Sequence, residues 1–336
     1  MKNIRVMPSL EEFPPEIITN IVLRLPIKCL VQCRCVSKPW CSMIDEPHFA
    51  KMYLSVGVKP ISTPSNRIMV SVRRVAPLGY EHYIAEDTDE GLVIKGTAKI
   101  DLPINTYYAQ NPSNGLVILE SDSRHYICNP ATGKCLLIAT ESRKRLLFGM
   151  GFSLSSQEFK VVQVRTYSVV GANTHSSRFE VFTLGTQGRR TAGSLPYRLR
   201  CSCLYFNGSL HWIVHYEYSN MGSESFTTLR IVSFNLDSEA IGEFPKPEIN
   251  FTSKLERTKS RTYLLGVLGD YLSLWDFQIS DPIEVWVMKD YKVKESWTKQ
   301  YSIIQSQLSY CVEPLCLRKN GDLLLHVDQK YFVSYN

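Results

Sequence analysis

The sequence predicts an α+β protein in two parts, a three-helix module over residues 9–55 and a mainly-β domain over residues 67–336, joined by a linker at 56–66. The β-domain is expected to be propeller-like, with a β-sandwich as the alternative. Three observations carry this. The hydrophobic period switches near residue 55 from 3–4 to 2. Beyond it, short apolar runs alternate with Asn, Gly, Pro and Ser turns. Three stretches of the form strand, Gly turn, strand recur at about 55–60 residues, as repeated blades would.

The helical part starts at a proline pair. Pro14 and Pro15 suit the first turn of a helix, where a missing N–H costs little. Glu16 sits near its positive end. Ile17, Ile18, Ile21, Val22 and Leu25 form one apolar stripe, and Pro26 ends it. A second helix is expected from about Lys28 with Leu30, Val31 and Cys33, and a third from Lys38 or Pro39 with Trp40, Met43 and Ile44. Three short helices in roughly 45 residues bury little apolar surface alone, so such a module leans on a partner. The polar segment Lys59-Pro-Ile-Ser-Thr-Pro-Ser-Asn66, with two prolines, reads as the linker.

From residue 67 onward the runs expected as strands include Arg67–Val72, Gly115–Leu119, Tyr126–Cys128, Phe159–Val164, Phe179–Leu184, Cys203–Phe206, Leu210–Val214, Arg230–Phe234, Tyr263–Leu268, Tyr271–Trp275, Ile283–Met288, Leu323–Val327 and Tyr331–Tyr335. Asn114-Gly115, Asn207-Gly208, Gly269-Asp270 and Asn320-Gly321-Asp322 mark tight turns between them. The three look-alike stretches are Leu204–Trp212, Leu265–Leu274 and Leu317–Leu325. A propeller leaves few exposed edges. On that ground Arg67–Val72 is expected to pair within the terminal sheet.

Residues 10–54 resemble the F-box. The resemblance rests on Phe13-Pro14-x-Glu16-Ile17-Ile18, Ile21-x-Leu23-Arg24-Leu25-Pro26, Leu30, Cys33-Arg34-Cys35-Val36-Ser37-Lys38-x-Trp40, Met43-Ile44 and Pro47-x-Phe49. Phe13 stands where the family usually has Leu, and Pro39 lies inside the Lys-x-Trp step. The remainder is similar to the F-box-associated domain of the large plant F-box family. Its segments are Asn111-Pro-Ser-Asn-Gly-Leu116, Cys128-Asn-Pro-Ala-Thr-Gly133, Gly149-x-Gly-Phe152 with Phe159-Lys-Val-Val162, Phe206-Asn-Gly-Ser-Leu-His-Trp212, Ile231-Val-Ser-Phe-Asn235, and Ile283-Glu-Val-Trp-Val-Met288 through Lys294-Glu-Ser-Trp297.

The resemblance implies a substrate-recruiting subunit of an SCF-type ubiquitin ligase that does no chemistry itself. Its F-box would bind a Skp-type adaptor, and through it cullin and RING subunits, while the β-domain holds a protein target. The adaptor-binding residues it implies are Phe13, Pro14, Ile17, Ile18, Ile21, Leu25, Pro26, Leu30, Val36, Lys38 and Trp40. Aromatic anchors such as Trp40 carry much of the energy of such interfaces. The competing class is a propeller-like enzyme or sugar-binding module.

Composition fits the first reading. Hydrophobic residues make up 44% and charged residues 21% of the 336 residues, ordinary for a folded chain. A net charge of +6, with scattered basic residues, does not signal nucleic acid. No apolar run is long enough for a membrane span, and the N-terminus lacks a secretory signal, so a cytoplasmic or nuclear location is expected. The sequons at Asn207 and Asn250 are then chance. The 10 cysteines, most at apolar-patterned positions such as Cys29, Cys33, Cys201 and Cys203, are expected as buried hydrophobes of a reducing compartment rather than disulfides.

No cofactor or metal is expected. Cys29, Cys33, Cys35 and Cys41 lack the C-x2-C knuckle of a zinc module. His211 and His215 share a strand face but have no HExxH glutamate, and are expected as partly exposed strand residues. Gly149-Met-Gly151 begins like a dinucleotide loop but has Leu154 where the third glycine belongs, and is expected as a turn. Trp275-Asp276 is a lone pair without a periodic companion. Arg143-Lys-Arg145 and Arg189-Arg190 are expected in solvated loops.

Overall fold

The computed structural model describes residues 14–25, 27–55, 67–74, 79–88, 91–97, 106–121, 124–130, 132–140, 146–168, 175–186, 188–199, 203–219, 225–249, 261–278, 282–304, 312–318, 320–327 and 331–336. The linker 56–66, Phe13, Pro26, Asn250, Cys201 and the cluster 143–145 lie outside them, as does the side chain of His215. Chain contacts divide the protein into two compact units, residues 1–64 with 154–158, and residues 65–153 with 159–336.

The first unit contains helices α1 (Pro15–Val22), α2 (Ile27–Cys33), α3 (Lys38–Asp45) and α4 (Pro47–Ser55). The fourth helix is one more than the sequence reading allowed. Pro47 opens it from the N-terminal side, and Phe49, Met52 and Tyr53 return at helical spacing to the core. Pro14 is the N-cap of α1 and Pro15 its first helical residue. Ser37 caps α3 by accepting a hydrogen bond from the Trp40 amide at 3.4 Å. Val22, Leu23, Leu30 and Phe49 form a small core, covered by Ile18, Leu25, Trp40 and Met43. Among the described residues no helix is long and apolar enough to cross a membrane.

The second unit is a six-bladed β-propeller arrangement of antiparallel sheets, each built from strands consecutive in the chain. The first sheet is β1 (Arg67–Arg74), β2 (Gly79–Thr88) and β3 (Gly91–Thr97). The second is β4 (Thr106–Ser113), β5 (Leu116–Ser121), β6 (Arg124–Cys128) and β7 (Cys135–Thr140). The third is β8 (Leu146–Ser153), β9 (Glu158–Ser168), β10 (His175–Thr183) and β11 (Arg190–Leu195). The fourth is β12 (Leu204–Phe206), β13 (Ser209–Ser219), β14 (Ser225–Asn235) and β15 (Ile241–Phe244). The fifth is β16 (Arg261–Leu268), β17 (Tyr271–Gln278), β18 (Ile283–Met288) and β19 (Trp297–Ile303). The sixth is β20 (Val312–Leu317), β21 (Leu323–Val327) and β22 (Tyr331–Tyr335).

The three look-alike stretches open the fourth, fifth and sixth sheets as hairpins β12–β13, β16–β17 and β20–β21. Asn114-Gly115 and Asn207-Gly208 each place two consecutive residues at positive φ, 49° and 79° in the first and 45° and 69° in the second. That is the twist a two-residue hairpin needs, and it explains the Asn-Gly pairs.

The cores lie between successive sheets. Alternation on a strand therefore sends neighbours to different seams. Trp212 on β13 packs against Phe179 toward the third sheet, while Ile213 joins Leu272 and Leu274 of the fifth. Trp275 likewise faces the sixth sheet while Leu274 faces the fourth. Both faces are buried, so these strands read as near-continuous apolar runs.

Several expectations change here. Arg67–Val72 does not join the terminal sheet. It lies in β1, which pairs with β2 in unbroken register from Arg67↔Glu86 to Arg74↔Gly79. A short local hairpin is entropically easier to close than a pairing across the whole chain. The last sheet instead meets the first through Arg318, whose Nε donates to Asp87 at 2.8 Å and whose second guanidinium arm donates to the Thr88 carbonyl at 2.9 Å.

Gly149 and Gly151 are in strand β8, not a turn. A Cβ on Gly149 would lie 2.4 Å from Cys203 Sγ, and one on Gly151 would lie 2.4 Å from the Tyr205 ring. The glycines are there for close approach of the fourth sheet. Cys128 and Cys135, directly opposed in the β6–β7 register, form a disulfide, contrary to the expectation of free thiols. Cys203 is buried, as expected, but Cys29 and Cys33 are only half-buried.

Arg189 lies in the loop before β11 and Arg190 is the first residue of that strand, both exposed, and both also reach across to neighbouring sheets. The Arg189 guanidinium lies 4.7 Å over the Phe182 ring and hydrogen-bonds Gln163 and the Ile138 carbonyl, tying the second sheet to the third. Arg190 pairs with Glu239, which also accepts from the buried Lys160 at 2.9 Å, tying the third to the fourth.

Candidate functional site

Two places merit construction from their residues. The first is the surface of the helical unit. α1 exposes Ile17 and Ile21, one turn apart, at 46% and 55%, and Val36 between α2 and α3 is 62% exposed. The stripe divides because four short helices have one small interior. Val22 of the stripe fills it together with Leu23, and those at 17 and 21 are left outside. Pro14 and Lys38 are exposed as well. Ile18, Leu25 and Trp40 are half-buried lids over the core. Leu30, expected as a contact residue, is instead buried at 7% and supports the surface from within.

The frame around this surface is pinned by polar contacts. Arg34 at the end of α2 holds Asp45 at the end of α3 at 2.8 Å, and that hydrogen bond draws the Asp45 carboxyl below its usual range. Tyr53 on α4 donates to the Leu25 carbonyl at 2.9 Å. Burial raises the pKa of its hydroxyl, so it stays a donor.

The second place is a cavity of about 350 Å³ between the fourth and fifth sheets. Three connections reach it: the β12–β13 turn with Phe206 and Asn207, the β16–β17 turn with Asp270 and Tyr271, and the loop after β18 with Lys289 and Tyr291. Met288, 2% exposed, completes the lining. Lys289 Nζ lies 4.7 Å over the Tyr271 ring, and Lys292 Nζ lies 5.6 Å over Tyr291.

His211 lies behind Tyr291. It is fully buried, not partly exposed as expected. Its Nδ1 is 3.3 Å from the Leu204 carbonyl and its Nε2 is 3.0 Å from the Tyr291 hydroxyl. A carbonyl only accepts, so Nδ1 carries the proton and Nε2 accepts from Tyr291. Burial, with a smaller contribution from Lys292, pushes its pKa down to about 4. The imidazole is therefore a neutral post that fixes the tyrosine, stacked edge-on against Phe244 at 4.7 Å.

Sequence reasoning passed over this cavity because its lining comes from three separate connections. A signal was present: an aromatic residue abuts each turn, Phe206 just before Asn207-Gly208 and Tyr271 just after Gly269-Asp270. Among the described residues no three of His, Cys, Asp and Glu gather as metal ligands.

Comparison with known proteins follows the same division. The sequence model of the F-box associated beta propeller domain matches residues 74–336, and that of the F-box domain matches residues 10–52. The chain is similar to F-box protein At3g07870 of Arabidopsis thaliana, 26% identical over 384 aligned residues that cover 98% of this chain and 86% of that protein. It is also similar to F-box protein CPR1 of the same plant, 24% identical over 86% of this chain and 72% of that protein. F-box protein DOR, again from Arabidopsis thaliana, is 24% identical over 87% of this chain and 74% of its own length. With short helices ahead of six consecutive antiparallel sheets, and with both stretches matched in that order, the chain belongs to the F-box proteins that carry an F-box associated β-propeller domain.

Proposed function

We propose that this protein is the substrate-recruiting subunit of an SCF-type ubiquitin ligase, acting in the cytoplasm or nucleus. The helical unit binds a Skp-type adaptor, and the propeller holds a target protein. The observation that carries the reading is an F-box, residues 10–52, whose α1 leaves Ile17 and Ile21 exposed and whose Trp40 on α3 is half-buried over the small core. Exposed aliphatic side chains one turn apart suit helix-in-groove docking. The proposed contact set is Phe13, Pro14, Ile17, Ile18, Ile21, Leu25, Pro26, Val36, Lys38 and Trp40, with Leu30 acting from the core. The chain does no chemistry of its own. It raises the effective concentration of the target near the ubiquitin-loaded enzyme.

The test is titration calorimetry of the full chain with a Skp-type adaptor. Ile17→Glu with Ile21→Glu should abolish binding while leaving circular dichroism unchanged. Trp40→Ala should weaken it by about 2–4 kcal/mol. Unchanged affinity in the double variant rejects the reading.

A further inference from the structure

The cavity between the fourth and fifth sheets has walls of one kind and a mouth of another. Phe206, Tyr271, Met288 and Tyr291 supply three rings and a thioether. Asn207, Asp270 and Lys289 supply an amide, an anion and a cation. We infer that the cavity seats an aromatic side chain presented by a peptide segment of the recruited protein, whose backbone is hydrogen-bonded by Asn207, Asp270 and Lys289. The choice of a protein as the source of the ligand rests on the receptor reading above; the aromatic class rests on the walls alone.

The volume suits this occupant. Ligand pockets start at roughly 300 Å³, so this one lies at the small end of the range, as a single inserted side chain requires. The rings are arranged for insertion rather than for a flat platform. Phe206 and Tyr291 have centroids 5.7 Å apart and planes 58° apart, a tilted pair that a third ring extends edge-to-face. Met288, 2% exposed, forms the floor, its sulfur held by the Lys292 amide at 3.2 Å. A sugar would want an open ring face, yet Lys289 covers one face of Tyr271 and Lys292 lies over Tyr291.

The mouth carries both charge signs and a neutral amide, which complements a peptide backbone that both donates and accepts. Among the described residues, Lys160, Lys294 and Lys299 are paired with Glu239, Glu248 and Glu284, whereas Lys289 Nζ lies over a ring. The site is held stiffly on both sides. The Asn207-Gly208 turn is a two-residue hairpin with both φ positive, and His211 anchors the Tyr291 hydroxyl.

The experiment uses the full chain and labelled heptapeptides Gly-Ser-Gly-X-Gly-Ser-Gly, with X as Trp, Phe, Ala or Lys, read by fluorescence anisotropy. Saturable binding is expected for Trp and Phe, at least about tenfold tighter than for Ala or Lys, a difference of about 1.4 kcal/mol. Tyr271→Ala and Lys289→Ala should each weaken the Trp peptide severalfold. Tyr271 is 39% exposed, so its truncation leaves the fold standing, and an unchanged melting temperature verifies this. Equal binding of the Trp and Ala peptides overturns the inference, as does no saturation by about 1 mM. So does binding that survives both variants, or displacement of the Trp peptide by a methyl glycoside. Adaptor binding is measured on the same preparations. Its loss with peptide binding intact rejects the receptor reading, and the converse rejects the cavity's assignment.

Discussion

Among the described residues, the seam between the fourth and fifth sheets and the seam between the sixth and first show different kinds of contact. At the first, Ile213, Ile231, Leu272, Leu274 and Trp297 pack together, with the neutral His211 against Phe244 and Tyr291, and strength comes from area removed from water. At the second, among the described residues, Arg318 reaches from the end of β20 to Asp87 and the Thr88 carbonyl on β2, with a third hydrogen bond to Ser334 at 3.0 Å. Their side chains are 13% and 4% exposed. A directional, fully hydrogen-bonded contact fixes which sheets meet. An apolar seam tolerates sliding but gains more from being closed. The difference teaches that a ring of sheets can combine bulk hydrophobicity along its length with, among the described residues, an oriented ion pair where its two ends meet.

The comparison can be broken from the apolar side first. Trp212 is fully buried and meets Phe179 edge-on at 5.5 Å in the adjoining apolar seam. Trp212→Ala should cost about 3–5 kcal/mol, as large-to-small core changes do, and urea unfolding should show the propeller losing stability as one unit. At the ionic seam, Asp87→Ala should cost about 3 kcal/mol because it leaves Arg318 buried without its charge partner. Replacing both, Asp87→Leu with Arg318→Met, should recover most of that loss in the same measurement. If the single and double variants melt together, the pair is not what closes the ring.

His211 sharpens the apolar side through pH. Its folded pKa, pushed down to about 4, lies below the ordinary 6.5. The unfolded chain then binds the extra proton between those values, so stability rises with pH there. The contribution is complete above about 6.5 and is lost as pH falls toward about 4, on the order of 3 kcal/mol in total. Melting temperature should drop as pH is lowered through that window in the native chain, and stay flat in His211→Phe. The smallest effect belongs to a surface pair. Lys299 and Glu284 meet at 3.0 Å with the lysine about half exposed, and Lys299→Ala should change stability by less than about 1 kcal/mol, checked by the same denaturation.

Much of the fold was legible in the chain. Ile283–Met288, Leu323–Val327 and Tyr331–Tyr335 are strands with the bounds that alternation suggests. The adaptor-facing surface was legible only in part. Periodicity marks Leu30 and Ile21 alike as apolar, yet one lies in the core and the other is 55% exposed. A helical stripe says which residues avoid water, not which ones a small interior has room for. The cavity was hidden for a related reason. Its residues are ordinary beside their own turns and acquire a shared purpose only when two sheets stand side by side.

The amino-acid sequence by itself determined the switch from helices to strands, the hairpin turns at Asn114-Gly115 and Asn207-Gly208, and the family to which the chain belongs. These depend on side-chain periodicity and on backbone conformations within a few residues of one another, which local chemistry dictates. Only the tertiary structure decided that β1 stays with β2, that Gly149 and Gly151 serve close packing in a strand, that Arg189 and Arg190 bridge sheets, and that His211 is neutral. Each of these depends on a partner far along the chain, as with Asp87 and Arg318, 231 residues apart. Such a pair is chosen by how whole sheets pack, because the cost of burying a charge or closing a gap is known only once the neighbouring sheet is in place.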